Sequence, residues 1–282
     1  MGVTADYVYN RSYRGKVKAV ILDWSGTTAD AYVLAPAVVF VDVFKKHGVE
    51  ISMAEARGPM GLRKDLHIKS LTEVPEIRER WNGVHGKYPG QEEVDAMFAD
   101  FVPMQLECLR QYTTLLPGVA ETTQQLQAQG IKIGSTTGFL RAMVDILEED
   151  AKKQGYTPDA SVAGDEVAHG ARPKPFMVYR NLDLLDVHPI QSVVKVDDTI
   201  SGVGEALEAG CWGVGISRYS NYMDVDSFEH EKSLSEQEIQ RRLAFTRETL
   251  RKAGAHYVID ELSELPEIID DVNARLARGE RS

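Results

Sequence analysis

Residues 17–22 (VKAVIL) form a short, mostly apolar run rich in β-branched residues that stops abruptly at Asp23. A strand without polar alternation is buried on both faces, and a parallel sheet covered by helices is where such strands occur. Similar runs recur at 131–134 (IKIG), 192–196 (SVVKV), 214–216 (VGI) and 257–259 (YVI), separated by helical stretches. The expected fold is therefore α/β, a Rossmann-like doubly wound parallel sheet. Small polar residues cluster after the first three runs, in DWSGTTAD, STTG and DDTISG. Sheets of this kind bind ligands there, outside the carboxyl ends of their strands.

Residues 34–112 have helical periodicity and no convincing strand, and they are too many for a simple crossover. An inserted helical cap is expected over 34–112, leaving 1–33 and 113–282 for the catalytic core. Within it, Ser52 and Glu55 form a capping box, and Leu62, Leu66 and Ile68 are expected to face a core. A second box, Ser235 with Glu238, opens a helix expected to end near Gly254. Its arginines, Arg241, Arg242, Arg247 and Arg251, fit a solvated face better than an anion site.

The 282 residues, 43% of them hydrophobic, suffice for a sizeable core. A formal charge of −11 leaves no basic field for nucleic acid or an anionic membrane. Residues 1–16 show no secretory apolar run, and no stretch of about 18 apolar residues exists. Cys108 and Cys211 are too few for a disulfide framework and too far apart for a metal knuckle, so ordinary thiols in a reducing compartment are expected. The expected location is the cytoplasm.

Asp23 precedes Trp24, Ser25, Gly26, Thr27 and Thr28, so its carboxylate would emerge beside backbone amides freed by a glycine turn. Taken alone, it reads better as a strand-terminal Asp capping a turn, and only the further motifs reverse that preference. Thr136, Thr137 and Gly138 offer hydroxyl and amide donors to phosphoryl oxygens. Arg172 and Lys174, between prolines in ARPKP, are cations on a stiffened loop. Asp197 and Asp198 are adjacent carboxylates at a strand end that repel each other and favour a hard cation, typically Mg²⁺, or else form a turn.

In chain order and spacing, these four groups resemble the haloacid dehalogenase superfamily. DWSGTT, ARGPMGLRKDLHIKSLTEVPEI, IKIGSTTG and ARPKPF further resemble its phosphonatase family, from about residue 16 nearly to the carboxyl terminus. The resemblance implies hydrolysis of the C–P bond of phosphonoacetaldehyde, a small-molecule phosphonate, with Mg²⁺ as cofactor and a homodimer joined through the cap. It makes Asp23 the nucleophile and a metal ligand, with the Ser25 carbonyl and Asp198 as further ligands and Asp197 acting through metal or water. Thr137, Gly138 and Arg172 would hold the phosphonate. Lys64 would form the imine, with Met60 and His67 near it and His67 a proton shuttle.

Lys64 and His67, three apart, project to one face of a helix. C–P cleavage leaves an electron pair on carbon, and an iminium on Lys64 accepts it as an enamine, so Lys64 must be neutral part of the time. Burial would lower its pKa. Superfamily phosphatases usually carry a second Asp two residues after the nucleophile; here Ser25 is a poor general acid, which disfavours phosphate esters. The sequence departs from the family pattern at Ser25, where alanine occurs, at Phe139 in place of a tyrosine, and at Asp197 with Gly202 in place of Gly with Asp. A hydrolase or phosphotransferase of the same superfamily acting on a phosphate ester or another phosphonate is the alternative, ahead of a silent binding protein on the same fold.

Overall fold

The computed structural model describes residues 12–282. Residues 1–11, part of the expected core segment 1–33 and of the segment 1–16 expected to carry no secretory run, lie outside the described residues. Six strands, β1 (Ala19–Leu22), β2 (Lys132–Thr136), β3 (Ala160–Val162), β4 (Val193–Asp197), β5 (Trp212–Ile216) and β6 (Tyr257–Ile259), make one sheet in the order β3-β2-β1-β4-β5-β6. Every pairing is parallel. Five of the strands lie close to their expected bounds. The sixth, β3, was not expected: it is a three-residue edge strand (ASV) with one buried residue, too short and too polar to stand out.

Side chains of β1 alternate between two cores. Val20 and Leu22 join the larger one with Trp24 and Phe40, while Ala19 and Ile21 join the smaller with Val178, Leu185 and Cys211. Burial on both faces, at about 1.5–3 kcal/mol per large apolar side chain, is why the strands read as continuous apolar runs. Leu22 lies opposite Ser135 of β2 and Val196 of β4, so Asp23, Thr137 and Asp198 leave the sheet at one edge. That edge is also the switch point, because the chain winds outward through β2 and β3 and then resumes on the other side of β1 at β4.

Six helices separate β1 from β2, and the first five are α1 (Leu34–Lys46), α2 (Met53–Arg57), α3 (Lys64–Glu73), α4 (Pro75–His85) and α5 (Gln91–Cys108). Helix α1 packs on α2 and α5, and α3 on α4 and α5. The capping box at α2 is present in both directions: Glu55 N donates to Ser52 Oγ (3.2 Å), and Ser52 N donates to Glu55 Oε2 (2.8 Å). The expected apolar stripe is shifted. Leu62 precedes α3 and Leu66 is exposed, whereas Lys64, His67, Ile68 and Leu71 form the buried i, i+3, i+4, i+7 face. A stripe drawn through apolar residues alone gives the helix the wrong phase, because two of its inward residues are titratable.

Helices α6 (Val119–Ala128), α7 (Arg141–Lys153), α8 (Phe176–Leu185), α9 (Ile200–Ala209), α10 (Phe228–Ser233), α11 (Glu236–Lys252) and α12 (Leu265–Ala277) follow. At α11 the cap is one-sided: Ser235 Oγ accepts from Glu238 N (3.2 Å), but the Glu238 carboxylate turns to Arg241 and Arg242. Arg241 and Arg251 lie on the exposed face, whereas Arg242 and Arg247 tie α11 to Met223 O and Asp260. Both cysteines are free, Cys211 buried and Cys108 partly so. No helix among the described residues is long and apolar enough to cross a membrane.

Candidate active site at the carboxyl edge of the sheet

Asp23 extends β1 by one hydrogen bond, its N–H donating to Val196 O (3.1 Å). The next residues turn back on themselves: Thr28 N donates to Trp24 O (2.8 Å), and Thr28 Oγ1 to Asp23 O (2.9 Å). Arg172 reaches over from its proline-flanked loop and donates to Asp23 Oδ1 (2.6 Å) and to the Thr136 carbonyl (2.8 Å). Burial pushes the Asp23 carboxyl up to about 6 against the pull of Arg172, and the negative charge of Asp197 adds to the rise. At neutral pH it is still mostly the carboxylate that a nucleophile requires.

The acidic pair divides its labour. Asp197 accepts from Lys195 Nζ (2.6 Å) and from Thr199 N (3.0 Å) and Oγ1 (2.7 Å), and lies 3.2 Å from Arg172. Burial would raise its pKa, yet Arg172 and Lys195 hold it below the usual carboxylate range. Asp198 accepts from Asn221 N at Oδ2 (2.9 Å), and its Oδ1 is buried with no partner. Burial, followed by the charges of Asp197 and Asp23, pushes Asp198 well above that range. Ligand oxygens of Asp23, Asp197 and Asp198 lie within 4.8 Å of one another. An orphaned carboxylate oxygen in a negatively charged, buried cluster fits a hard divalent cation.

Gly202 explains how the second acid is accommodated. A Cβ there would fall 1.8 Å from Asp197 Cγ, so the Asp197 carboxylate occupies the space that a side chain at 202 would take. The departures at positions 197 and 202 are thus one steric event.

Above the edge lies the loop between α2 and α3. A Cβ at Gly138 would sit 2.7 Å from Leu62 O, so only glycine lets this loop dock on the TTG turn. Lys64, the first residue of α3, points down beside Asp23, Ser25, Met60, Thr137 and Arg172 around one small cavity. The space is about 20 Å³, which is room for about one water. Lys64 is 4% exposed and has no hydrogen bond or ion pair among the described residues. Its Nζ lies 4.6 Å from the centre of the Phe139 ring. Burial, with Asp23 opposing and Arg172 assisting, lowers its pKa from the ordinary lysine value to about 8.

The structure therefore gathers Asp23, Ser25, Met60, Lys64, Thr137, Gly138, Arg172 and Asp198 around one space. Thr137 Oγ1 accepts from Phe139 N (3.2 Å), leaving its hydroxyl proton free to donate. Asp197 stands behind the cavity wall, as does His67. Nε2 of His67 donates to Ala56 O (2.8 Å), its Nδ1 is buried without a partner, and burial holds it neutral, well below the usual histidine range. Lys174 turns away to His169 O. Sequence reasoning missed Lys195 and Glu205, both fully buried: Glu205 Oε2 accepts from Arg172 Nε (3.0 Å) and Thr136 Oγ1 (3.1 Å), and lies 3.7 Å from Lys195. A lysine inside the apolar run SVVKV was the available signal, because a buried ammonium needs counter-charges.

The family model described as haloacid dehalogenase-like hydrolase matches residues 17–210, and the chain belongs to that family. It is 39% identical to the phosphonoacetaldehyde hydrolase of Syntrophobacter fumaroxidans, over 97% of this chain and 98% of that one. It is 44% identical to the enzyme of that name from Bacillus cytotoxicus, over 90% and 96% of the two chains. The crystal structure of a phosphonoacetaldehyde hydrolase-like protein from Oleispira antarctica superposes with a TM-score of 0.94 at 39% identity, covering 99% of this chain and all of that one. Within the class, the chain belongs to the phosphonoacetaldehyde hydrolase family.

Proposed function

We propose that the protein hydrolyses the C–P bond of phosphonoacetaldehyde to acetaldehyde and phosphate. The observation that carries this reading is Lys64: a buried, unpaired amine with a pKa lowered to about 8, facing the same small space as Asp23. Neutral Lys64 attacks the aldehyde carbon and water leaves, giving an iminium. An Asp23 oxygen then attacks phosphorus, and the C–P electron pair moves into the C–C bond to form an enamine. Arg172 and the Thr137 hydroxyl hold the phosphonate oxygens, with Gly138 beside them. Protonation of the enamine at carbon and addition of water release acetaldehyde and free Lys64, while a second water cleaves the phosphoaspartate.

Mg²⁺, held by Asp23, Asp198 and the Ser25 carbonyl, would supply positive charge opposite the transferring phosphoryl group. The partnerless Asp198 oxygen favours Asp198 over Asp197 as the direct ligand, and Asp197 serves to hold Lys195 and Arg172. Ser25 offers no leaving-group acid, and an enamine requires none. Residues 34–112 act as the cap, which must open to admit substrate, since a space of about 20 Å³ is too small to hold it. Met60 packs beside the amine, and His67, which lies outside the cavity with its Nδ1 buried, relays protons once the cap opens. We further read the protein as a cytoplasmic homodimer joined through the cap.

Phosphate release from phosphonoacetaldehyde, measured with and without Mg²⁺, tests the activity. Borohydride added during turnover should inactivate the enzyme and leave a reduced two-carbon adduct on the Lys64 peptide. Lys64→Arg keeps the charge but not the nucleophile, and it should lose both turnover and trapping. An adduct on another lysine, or near-parent turnover by Lys64→Arg, would sink the mechanism.

A further inference from the structure

The loop that carries Met60 and leads into Lys64 begins at Arg57, the last residue of α2. Arg57 belongs to the proposed cap, and its side chain is buried. Its guanidinium donates to Asp226 Oδ1 (2.7 Å), Asp224 Oδ1 (3.3 Å) and the Val225 carbonyl. These three partners belong to the segment that follows β5. The same segment contains Asn221, which faces two ways. Its backbone N–H donates to Asp198 Oδ2 (2.9 Å), and its side-chain Nδ2 donates to the Arg57 carbonyl (3.2 Å). Ser220 Oγ fastens the turn to the Asp198 carbonyl (2.9 Å).

We propose that Arg57 and Asn221 are positioning residues that join the closed cap to Asp198, so that cation binding in the core and docking of the Lys64 loop favour each other. The proposal rests on the reading of Asp198 as a cation ligand. Its logic is linkage: the Asp198 oxygen without a partner is free for a cation, the other is held by Asn221, and Asn221 holds the base of the loop that delivers Lys64. A cation that fixes Asp198 fixes Asn221, and docking of the cap through Arg57 orders the same turn from the other side. By reciprocity, each event must strengthen the other by the same factor.

The test uses the full-length protein without substrate, so it stands apart from the C–P reaction. Hydrogen–deuterium exchange of residues 58–63 should slow about 5-fold or more on adding Mg²⁺, the lower end of common coupling factors. Asn221→Ala keeps the backbone donor to Asp198 and removes the tie to Arg57. It should still bind Mg²⁺ by calorimetry but lose that protection. Arg57→Ala, which touches none of the three clustered carboxylates, should weaken Mg²⁺ binding by a similar factor; if it fails to fold, Arg57→Lys replaces it. Equal Mg²⁺-dependent protection in Asn221→Ala and the parent, unchanged Mg²⁺ affinity in the Arg57 variant, or no response of the parent loop to Mg²⁺ would each overturn the coupling. Loss of coupling with intact phosphate release would leave the proposed function standing; intact coupling without phosphate release would do the reverse.

Discussion

The two sides of the cavity treat buried charge in opposite ways. On the core side every cation has partners: Arg172 touches Asp23, Asp197 and Glu205, and Lys195 touches Asp197. On the cap side Lys64 is buried to a similar degree and has aromatic rings for neighbours, at 4.6 Å (Phe139) and 5.8 Å (Phe40). Paired charges hold their protonation state and their geometry; an isolated amine gives up its proton. The first arrangement suits groups that grip a phosphoryl anion, and the second suits a nucleophile. Stability and function should therefore run together in the core and against each other in the cap.

The largest effect on stability is expected where a paired charge loses its partner. Asp197→Ala leaves Lys195 and Arg172 under-compensated and should cost about 3–5 kcal/mol, the range for breaking a buried ion pair. Chemical denaturation without metal would measure it. Mg²⁺ affinity, in contrast, should fall further in Asp198→Ala than in Asp197→Ala, because only Asp198 has a free buried oxygen. The reverse order would make Asp197 the direct ligand and would dissolve the distinction between gripping and metal-holding acids.

Lys64→Met should do the opposite of Asp197→Ala. Lys64 has a folded-state pKa of about 8 against an ordinary value of 10.5. The folded protein thus binds fewer protons than the unfolded chain between those values. The burial penalty is present in full below about pH 8 and disappears as pH rises through 10.5. Its upper bound is about 3 kcal/mol; opening of the cap, which rehydrates the amine, limits what is realised. Methionine, similar in length and without charge, should raise stability at pH 7, with a gain that shrinks by pH 10, and should abolish turnover. Equal stability at both pH values would show that Lys64 is well solvated in solution and that the contrast between the two sides is smaller than drawn.

The same contrast explains what the sequence made legible. Parallel strands buried on both faces announce themselves as apolar runs, and the residues just past their ends line the cavity, so the gathering of Asp23, Thr137 and Asp198 was legible in the sequence. The edge strand β3 could not, because one buried residue leaves no pattern. Helix α3 was placed correctly but its phase was not, because its inward face includes Lys64 and His67. Glu205 carries no local sign at all: it becomes a partner of Arg172 only when α9 is laid beside β4 and the proline-flanked loop. The steric exchange between Asp197 and Gly202 likewise needs the turn from β4 into α9 to be seen in three dimensions.

The smallest expected effect probes the aromatic side of the comparison. Two opposing influences of Phe139 meet at Lys64. Its ring face attracts the ammonium, by about 0.5–2 kcal/mol when water is excluded, and so holds the Lys64 pKa up. Its bulk also shields the amine from water and so pushes the pKa down. Phe139→Leu removes the ring face but keeps much of the apolar cover, and the backbone donor from residue 139 to Thr137 remains. If the ring face dominates, the pKa of Lys64 should drop by about half a unit to one unit, since one unit corresponds to 1.36 kcal/mol. The pH profile of borohydride trapping should then shift to lower pH, and trapping at pH 7 should be faster than in the parent. An upward shift would mean that the ring acts chiefly as a shield, and that Lys64 owes its low pKa to the thickness of its cover more than to its lack of partners.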